Sequence, residues 1–317
     1  MLQFKSLPEV IKHFCDDKTC RGYLEQQLWN GKPVCPHCGT ARVYRLEDGK
    51  TFKCGDKKTC DKKFTVTTGT MYENTKLPLS TWFAAIWLIT AHKKGISSCQ
   101  LARDLNITQK SAWFVLHRIR LVMGDPAPEP LEYLVEVDET YAGGKFANMN
   151  RGKRKRHQEN GTDNKTALMG MIERGGKVKL KVIGNNTFKE VVRQHVDTTA
   201  VIITDSHAGY EGLKDEFAGH ETVNHSKSEY KRDIFYTNTI EGFFSNFKRG
   251  YIGIYHWMSP KHMHRYCEEF SHRYNSRHIT DPQRFTLTIA QSNVRLKYQQ
   301  LIAGPKYGRH TGRNIEK

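Results

Sequence analysis

The chain has 317 residues, and 50 lysines and arginines against 33 aspartates and glutamates leave a formal charge of +17. At 38% hydrophobic and 26% charged it reads as a globular chain with room for two or three domains, which excludes a disordered protein. No apolar run approaches the roughly 20 residues that span a bilayer, and the start, MLQFKSLPEVIKHF, lacks the apolar stretch of a secretory signal, so a cytoplasmic chain with no membrane partner is expected. The positive balance points to a polyanion, nucleic acid being the commonest, and leaves a ribosomal protein, a nuclease and a repressor open.

Residues 1–70 hold the first motif. Cys35-Pro-His-Cys38 is followed by Cys54 after fifteen intervening residues and by Cys60 after five more. Two cysteine knuckles at this separation are the four-thiolate zinc pattern, in which the metal supplies stability that so small a core lacks. The second knuckle is wider than the usual two residues. Of the eight cysteines, Cys15, Cys20, Cys99 and Cys267 have no such spacing and are expected as buried thiols, with His37 at the surface.

From 77 to 124 the pattern turns helical. Ser80–His92 carries a wide apolar face. Ser97–Leu105, a turn at Asn106-Ile107-Thr108, and Gln109–Leu121 have the rhythm of a DNA-reading helix-turn-helix, with Thr108 or Ser111 as cap, and also that of a plain helical hairpin. Asp125-Pro-Ala-Pro-Glu-Pro130 ends the helices and links to a domain expected over 131–295, before a basic tail at 303–317. In that domain, strands are expected at Leu131–Tyr141, Ala167–Glu173 and Lys177–Gly184, the last two joined by a Gly175-Gly176 turn. A helix at Phe188–Val196, a buried strand at Ala200–Thr204, a helix at Ser206–Phe217, a short strand at Thr222–Asn224 and helices near 238–249 and 260–277 follow. The order predicts a mixed α/β fold.

Three acids stand out there. Asp138 lies inside the first strand, Asp205 ends the buried strand, and Glu241 lies on a helix with Lys248 two turns further along the same face. Any one of them alone reads as a capping or salt-bridging residue. Together, acids at the ends of neighbouring central strands suit two Mg2+ or Mn2+ ions, which activate an attacking oxygen and stabilise a leaving one at phosphorus. Lys248 is then placed to hold a backbone phosphate.

The stretches CPHCG, FTVTTGT, VEVDETYAGGK, ITDSHAGY, ETVNHS, TNTIEGFFSNFKRG and HWMSPKHMHRYCEEFSHRYNSR make the chain resemble bacterial insertion-sequence transposases of the ISXO2-like (IS1595) family, which join a zinc ribbon to a DDE domain. The resemblance implies an RNase H-like core behind a zinc ribbon; with the elements above, the expected fold is an RNase H-like mixed sheet with flanking helices, preceded by a zinc ribbon and the helix-turn-helix candidate. The resemblance also implies Asp138, Asp205 and Glu241 as the catalytic triad, Lys248 as its DNA-contacting companion, binding to terminal inverted repeats, and end hydrolysis followed by strand transfer into target DNA. Asn238, one turn before Glu241, is the alternative third ligand.

Around these motifs, Arg151, Lys153, Arg154, Lys155 and Arg156 form a basic run expected as a loop between the first two strands, a solvated arm or a phosphate contact, and Arg249 extends the cation at Lys248. His225, in ETVNHS, is a further neighbour of the triad. Joining two ends requires two active sites, so a homodimer or larger synaptic complex on DNA is expected. Two other functions fit the same motifs: a catalytically silent domesticated DNA-binding regulator, and an RNase H-like nuclease that cuts without joining.

Overall fold

The computed structural model describes residues 4–125, 128–144, 149–152, 154–155, 165–184, 187–205, 208–223 and 236–303. The chain forms two compact units, Met1–Gly124 with Ser276–Ala303, and Asp125–Asn275.

The first unit opens with two helices that the sequence reading left out, α1 (Leu7–His13) and α2 (Asp17–Trp29). Asp16 starts α2 by accepting the Thr19 N–H at 2.8 Å, and Asn30 stops it in a left-handed conformation (φ 48°). Three short antiparallel strands follow in the order β1 (Val43–Arg45), β2 (Thr51–Cys54), β3 (Lys63–Thr65). Helix α3 (Leu79–Ala91) is apolar on nearly every side and buries ten of its residues, which makes it the central post of this unit. Helices α4 (Ser98–Asp104) and α5 (Gln109–Met123) are capped by Ser97 and Thr108, whose side chains accept the Gln100 and Ser111 N–H groups. Beyond its first two turns α5 is buried, including Arg118, whose guanidinium donates to the carbonyls of Met71, Glu73 and Leu296.

The expected domain over 131–295 ends earlier. Residues past Asn275 belong with the first unit, where α9 (Asp281–Ala290) and α10 (Tyr298–Ala303) lie. The physical reason is Phe285, fully buried among Phe4, Phe14, Phe83 and Trp87. Ser292 also accepts the Met71 N–H at 3.0 Å.

The second unit is an RNase H-like mixed α/β layer structure. Its five strands are β4 (Leu134–Ala142), β5 (Thr166–Glu173), β6 (Val178–Val182), β7 (Val201–Asp205) and β8 (Gly219–Val223), in the order β6-β5-β4-β7-β8. The β4, β5 and β6 pairings are antiparallel, whereas β4–β7 and β7–β8 are parallel. One face packs on α6 (Phe188–His195) through Val135, Val137, Met169, Met171 and Ile202. The other carries α7 (Asn238–Gly250) and α8 (Met263–Asn275) over Leu168, Ile172 and Leu180. The helix expected at Ser206–Phe217 is reduced to 3-10 turns at Ala208–Tyr210 and Leu213–Asp215, because Gly212 between them takes a left-handed φ of 84°.

Candidate functional site

Among the described residues, one group of ligating side chains stands close enough together to hold a metal ion, and it lies in the first unit. In the ribbon, the Sγ atoms of Cys35, Cys38, Cys54 and Cys60 all lie within 4.8 Å of one another. Cys35–Cys60 and Cys38–Cys54 are separated by 3.7 Å and 3.6 Å. A zinc tetrahedron with Zn–S bonds of about 2.3 Å has edges of about 3.8 Å, so the donor set fits a structural Zn2+. The wide second knuckle closes because Asp56 folds the extra residues into a turn. Its carboxylate accepts the Lys58 and Thr59 N–H groups at 3.2 Å, and its carbonyl accepts the Cys60 N–H at 3.1 Å. Stacked Phe52 and Phe64, with Trp29 against them, form a small core behind the thiols. Of the other cysteines, Cys20 and Cys267 are buried as expected, while Cys15 and Cys99 are exposed. Cys99 falls in the exposed first turn of α4, and Cys15 in the open link between α1 and α2.

The three acids singled out in the second unit stand on segments distant in sequence. Parallel pairing of β4 with β7 runs from Leu134↔Val201 to Glu136↔Ile203, and each aspartate lies two residues past that last pair. Asp138, midway along β4, and Asp205, the last residue of β7, thus occupy corresponding places on adjacent strands, just past the stretch over which the two strands pair. Helix α7 lies over the same face. Ile240, Phe243, Phe244 and Phe247 are its buried stripe, leaving Glu241, Lys248 and Arg249 on the exposed side, with Asn238 exposed at its first position. Gly170 is paired directly across from Asp138, and a Cβ there would lie 2.7 Å from Ile240 and Phe244, so its bare backbone is what admits α7 so close to the sheet.

The electrostatics agree with this proximity. Burial pushes the Asp138 carboxyl up to about 7, and the negative charges of Glu139, Asp205 and Glu241 push the same way. The Glu139 N–H, donating to Asp138 at 2.8 Å, opposes them only in part. A carboxylate under such pressure is a place where a cation is welcome. Glu139 itself turns to the opposite face, where the buried Tyr210 hydroxyl donates to it at 2.8 Å.

An ISXO2-like transposase domain matches residues 130–275, and a transposase zinc-ribbon domain matches residues 15–63. The chain thus carries an ISXO2-like transposase domain together with a transposase zinc ribbon. It is also 26% identical over 262 residues to an uncharacterized protein in transposable element ISH50 of Halobacterium salinarum, a match covering 79% of this chain and 86% of that one.

The transposase domain ends at the same residue as the second compact unit, Asn275. Within it, Arg151, Arg154 and Lys155 are helical rather than in an open loop, with Arg154 half-buried and donating to the Met149 carbonyl. Lys153, Arg156 and His225 lie outside the described residues, as do residues 304–317 of the expected tail. No helix among the described residues is long and apolar enough to cross a membrane. Sequence reasoning missed the residues that join the sheet to the start of α7, Gly170, Glu136 and Arg174. The one available signal was Glu136, an acid between Val135 and Val137 in register with Asp138, where a buried charge demands a partner.

Proposed function

We propose that the chain is a DNA transposase that binds the terminal inverted repeats of its element, cleaves at the ends, and joins them to target DNA. The observation that carries the reading is the register that sets Asp138 and Asp205 at corresponding places on adjacent strands, under the helix that carries Glu241. Asp138, Asp205 and Glu241 would hold two Mg2+ or Mn2+ ions, which supply an activated attacking oxygen and a stabilised leaving one in phosphodiester chemistry. Lys248 and Arg249, exposed on the same helix as Glu241, hold the backbone phosphates of the DNA end. Arg151, Lys153, Arg154, Lys155 and Arg156 add phosphate contacts, so binding weakens steeply with salt. The zinc ribbon and the exposed start of α5 recognise the ends, and two chains work together on a pair of ends. A domesticated regulator has no use for three converging acids, and a simple nuclease has none for an end-recognition module.

The test is a reaction of zinc-loaded protein with labelled element ends and a supercoiled target. Cleavage and joined products are expected with Mg2+, none with EDTA, and a loss of roughly 10²–10³-fold or more in Asp205→Asn. End-specific binding without cleavage under any divalent metal would instead establish the regulator, and cutting of unrelated DNA without joining the nuclease.

A further inference from the structure

We propose that Glu136 is a positioning residue for the acid cluster. It fixes the start of α7, and through it the place of Glu241 relative to Asp138 and Asp205. The inference rests on reading those three acids as a divalent-metal site.

Glu136 is wholly buried, on β4 and two residues before Asp138, so both side chains leave the same face of the strand. Its carboxylate accepts five hydrogen bonds. Oε2 takes the backbone N–H groups of Thr239 and Ile240 at 3.0 Å and 3.1 Å, and Oε1 takes the Thr239 hydroxyl at 2.9 Å. Oε1 also takes Arg174 Nη2 at 3.0 Å and Nε at 3.2 Å. Arg174 in turn grips the segment entering α7. Its Nη2 donates to the Tyr236 carbonyl at 3.2 Å, and its guanidinium stacks 3.8 Å from the centre of the Tyr236 ring.

A buried carboxylate adds little net stability over an apolar side chain of similar size, because desolvation offsets the attraction of its partners. What an apolar residue lacks is direction. The two amides that Glu136 holds belong to the first turn of α7, immediately before Glu241, where the helix dipole also favours a negative charge. That contact sets the helix along its axis and in rotation, while Gly170 sets its height above the sheet. Metal ligands perform only when held within about 0.5 Å of the productive geometry, and the residues that hold them affect affinity about 10–100-fold.

The experiment is calorimetric titration of the full-length, zinc-loaded protein with Mn2+, alongside thermal melting, for wild type, Asp205→Asn, Glu136→Gln, Thr239→Val and the Glu136→Gln/Thr239→Val pair. Gln keeps one acceptor oxygen but sets an NH2 against donors. Thr239→Val removes one hydroxyl and keeps the shape, so it carries the test where Glu136→Gln fails to fold. Expected are Mn2+ binding in wild type that is lost in Asp205→Asn, and weakening of about tenfold or more in Glu136→Gln. Thr239→Val is expected to weaken binding about threefold, and the pair no more than Glu136→Gln alone. Cleavage by these variants should recover at high metal concentration. Unchanged Mn2+ affinity in Glu136→Gln and Thr239→Val, with melting lowered, would leave Glu136 a structural residue and overturn the proposal. Absence of Mn2+ binding in wild type, or equal binding in Asp205→Asn, would overturn the metal reading itself and this inference with it.

Discussion

The cysteine cluster and the proposed acid site of this chain are built in opposite ways. The four thiols come from 26 consecutive residues on a three-stranded ribbon, and each knuckle is shaped by bonds within its own turn. The acids come from two strands and a helix spread over more than a hundred residues, and none is held by local bonds alone. A metal can organise the first site from a nearly unfolded segment. The second needs the sheet, the helix and the contacts between them before any cation arrives. Metal should therefore govern folding in the ribbon, and folding should govern metal binding in the sheet.

The largest expected effect tests the first half of that statement. Cys38→Ser should release the zinc and abolish hydrogen-exchange protection in β1–β3, because structural zinc in such modules contributes about 10–16 kcal/mol to folding. Retained protection at zero zinc would show that the ribbon stands on its aromatic core.

Gly170→Ala tests the second half. The added methyl meets Ile240 and Phe244 and should cost about 1–3 kcal/mol by overpacking. Because α7 must also lift, divalent-metal affinity should fall with it, while zinc content stays constant. A stability loss without any change in Mn2+ titration would uncouple helix height from the acid site.

A smaller effect is the pH response of magnesium-free protein. Asp138 keeps its proton in the folded chain up to about 7, whereas the unfolded value is 3.8. Between those limits the folded state binds the extra proton, so this group's contribution to stability falls as pH rises from about 4 to 7 and then levels. The melting temperature of wild type should drop relative to Asp138→Asn across that window, and added Mg2+ at pH 7 should restore it. Parallel curves for the two proteins would remove the charge crowding from the account.

The smallest expected effect concerns neither metal. Thr108→Ala removes the cap of α5 and should cost about 1 kcal/mol, or about 2–4 °C in melting temperature. A drop confined to the first unit is expected, with the Mn2+ titration unchanged.

Much of this molecule was legible in the amino-acid order. The zinc knuckles are a local spacing, the caps at Ser97 and Thr108 are local hydrogen bonds, and the three-strand meander, the buried strand and α7 follow from alternation and periodicity within a few residues. Asp138 and Asp205 were visible as acids within apolar strand sequence, and Glu241 as an acid on a predicted helix. What lay beyond the sequence was set by partners far along the chain. Phe285 belongs to the first unit because Phe14 and Phe83 are there to receive it. The helix expected at Ser206–Phe217 breaks at a backbone angle that only the packed chain reveals. Gly170 acquires its meaning from the register that sets it across from Asp138, and Glu136 from a helix start 103 residues away. Local periodicity and spacing depend on neighbours in sequence, which the chain itself supplies. The distance between two strands and a helix depends on which side chains fill the space between them, and that is decided only when the unit is packed.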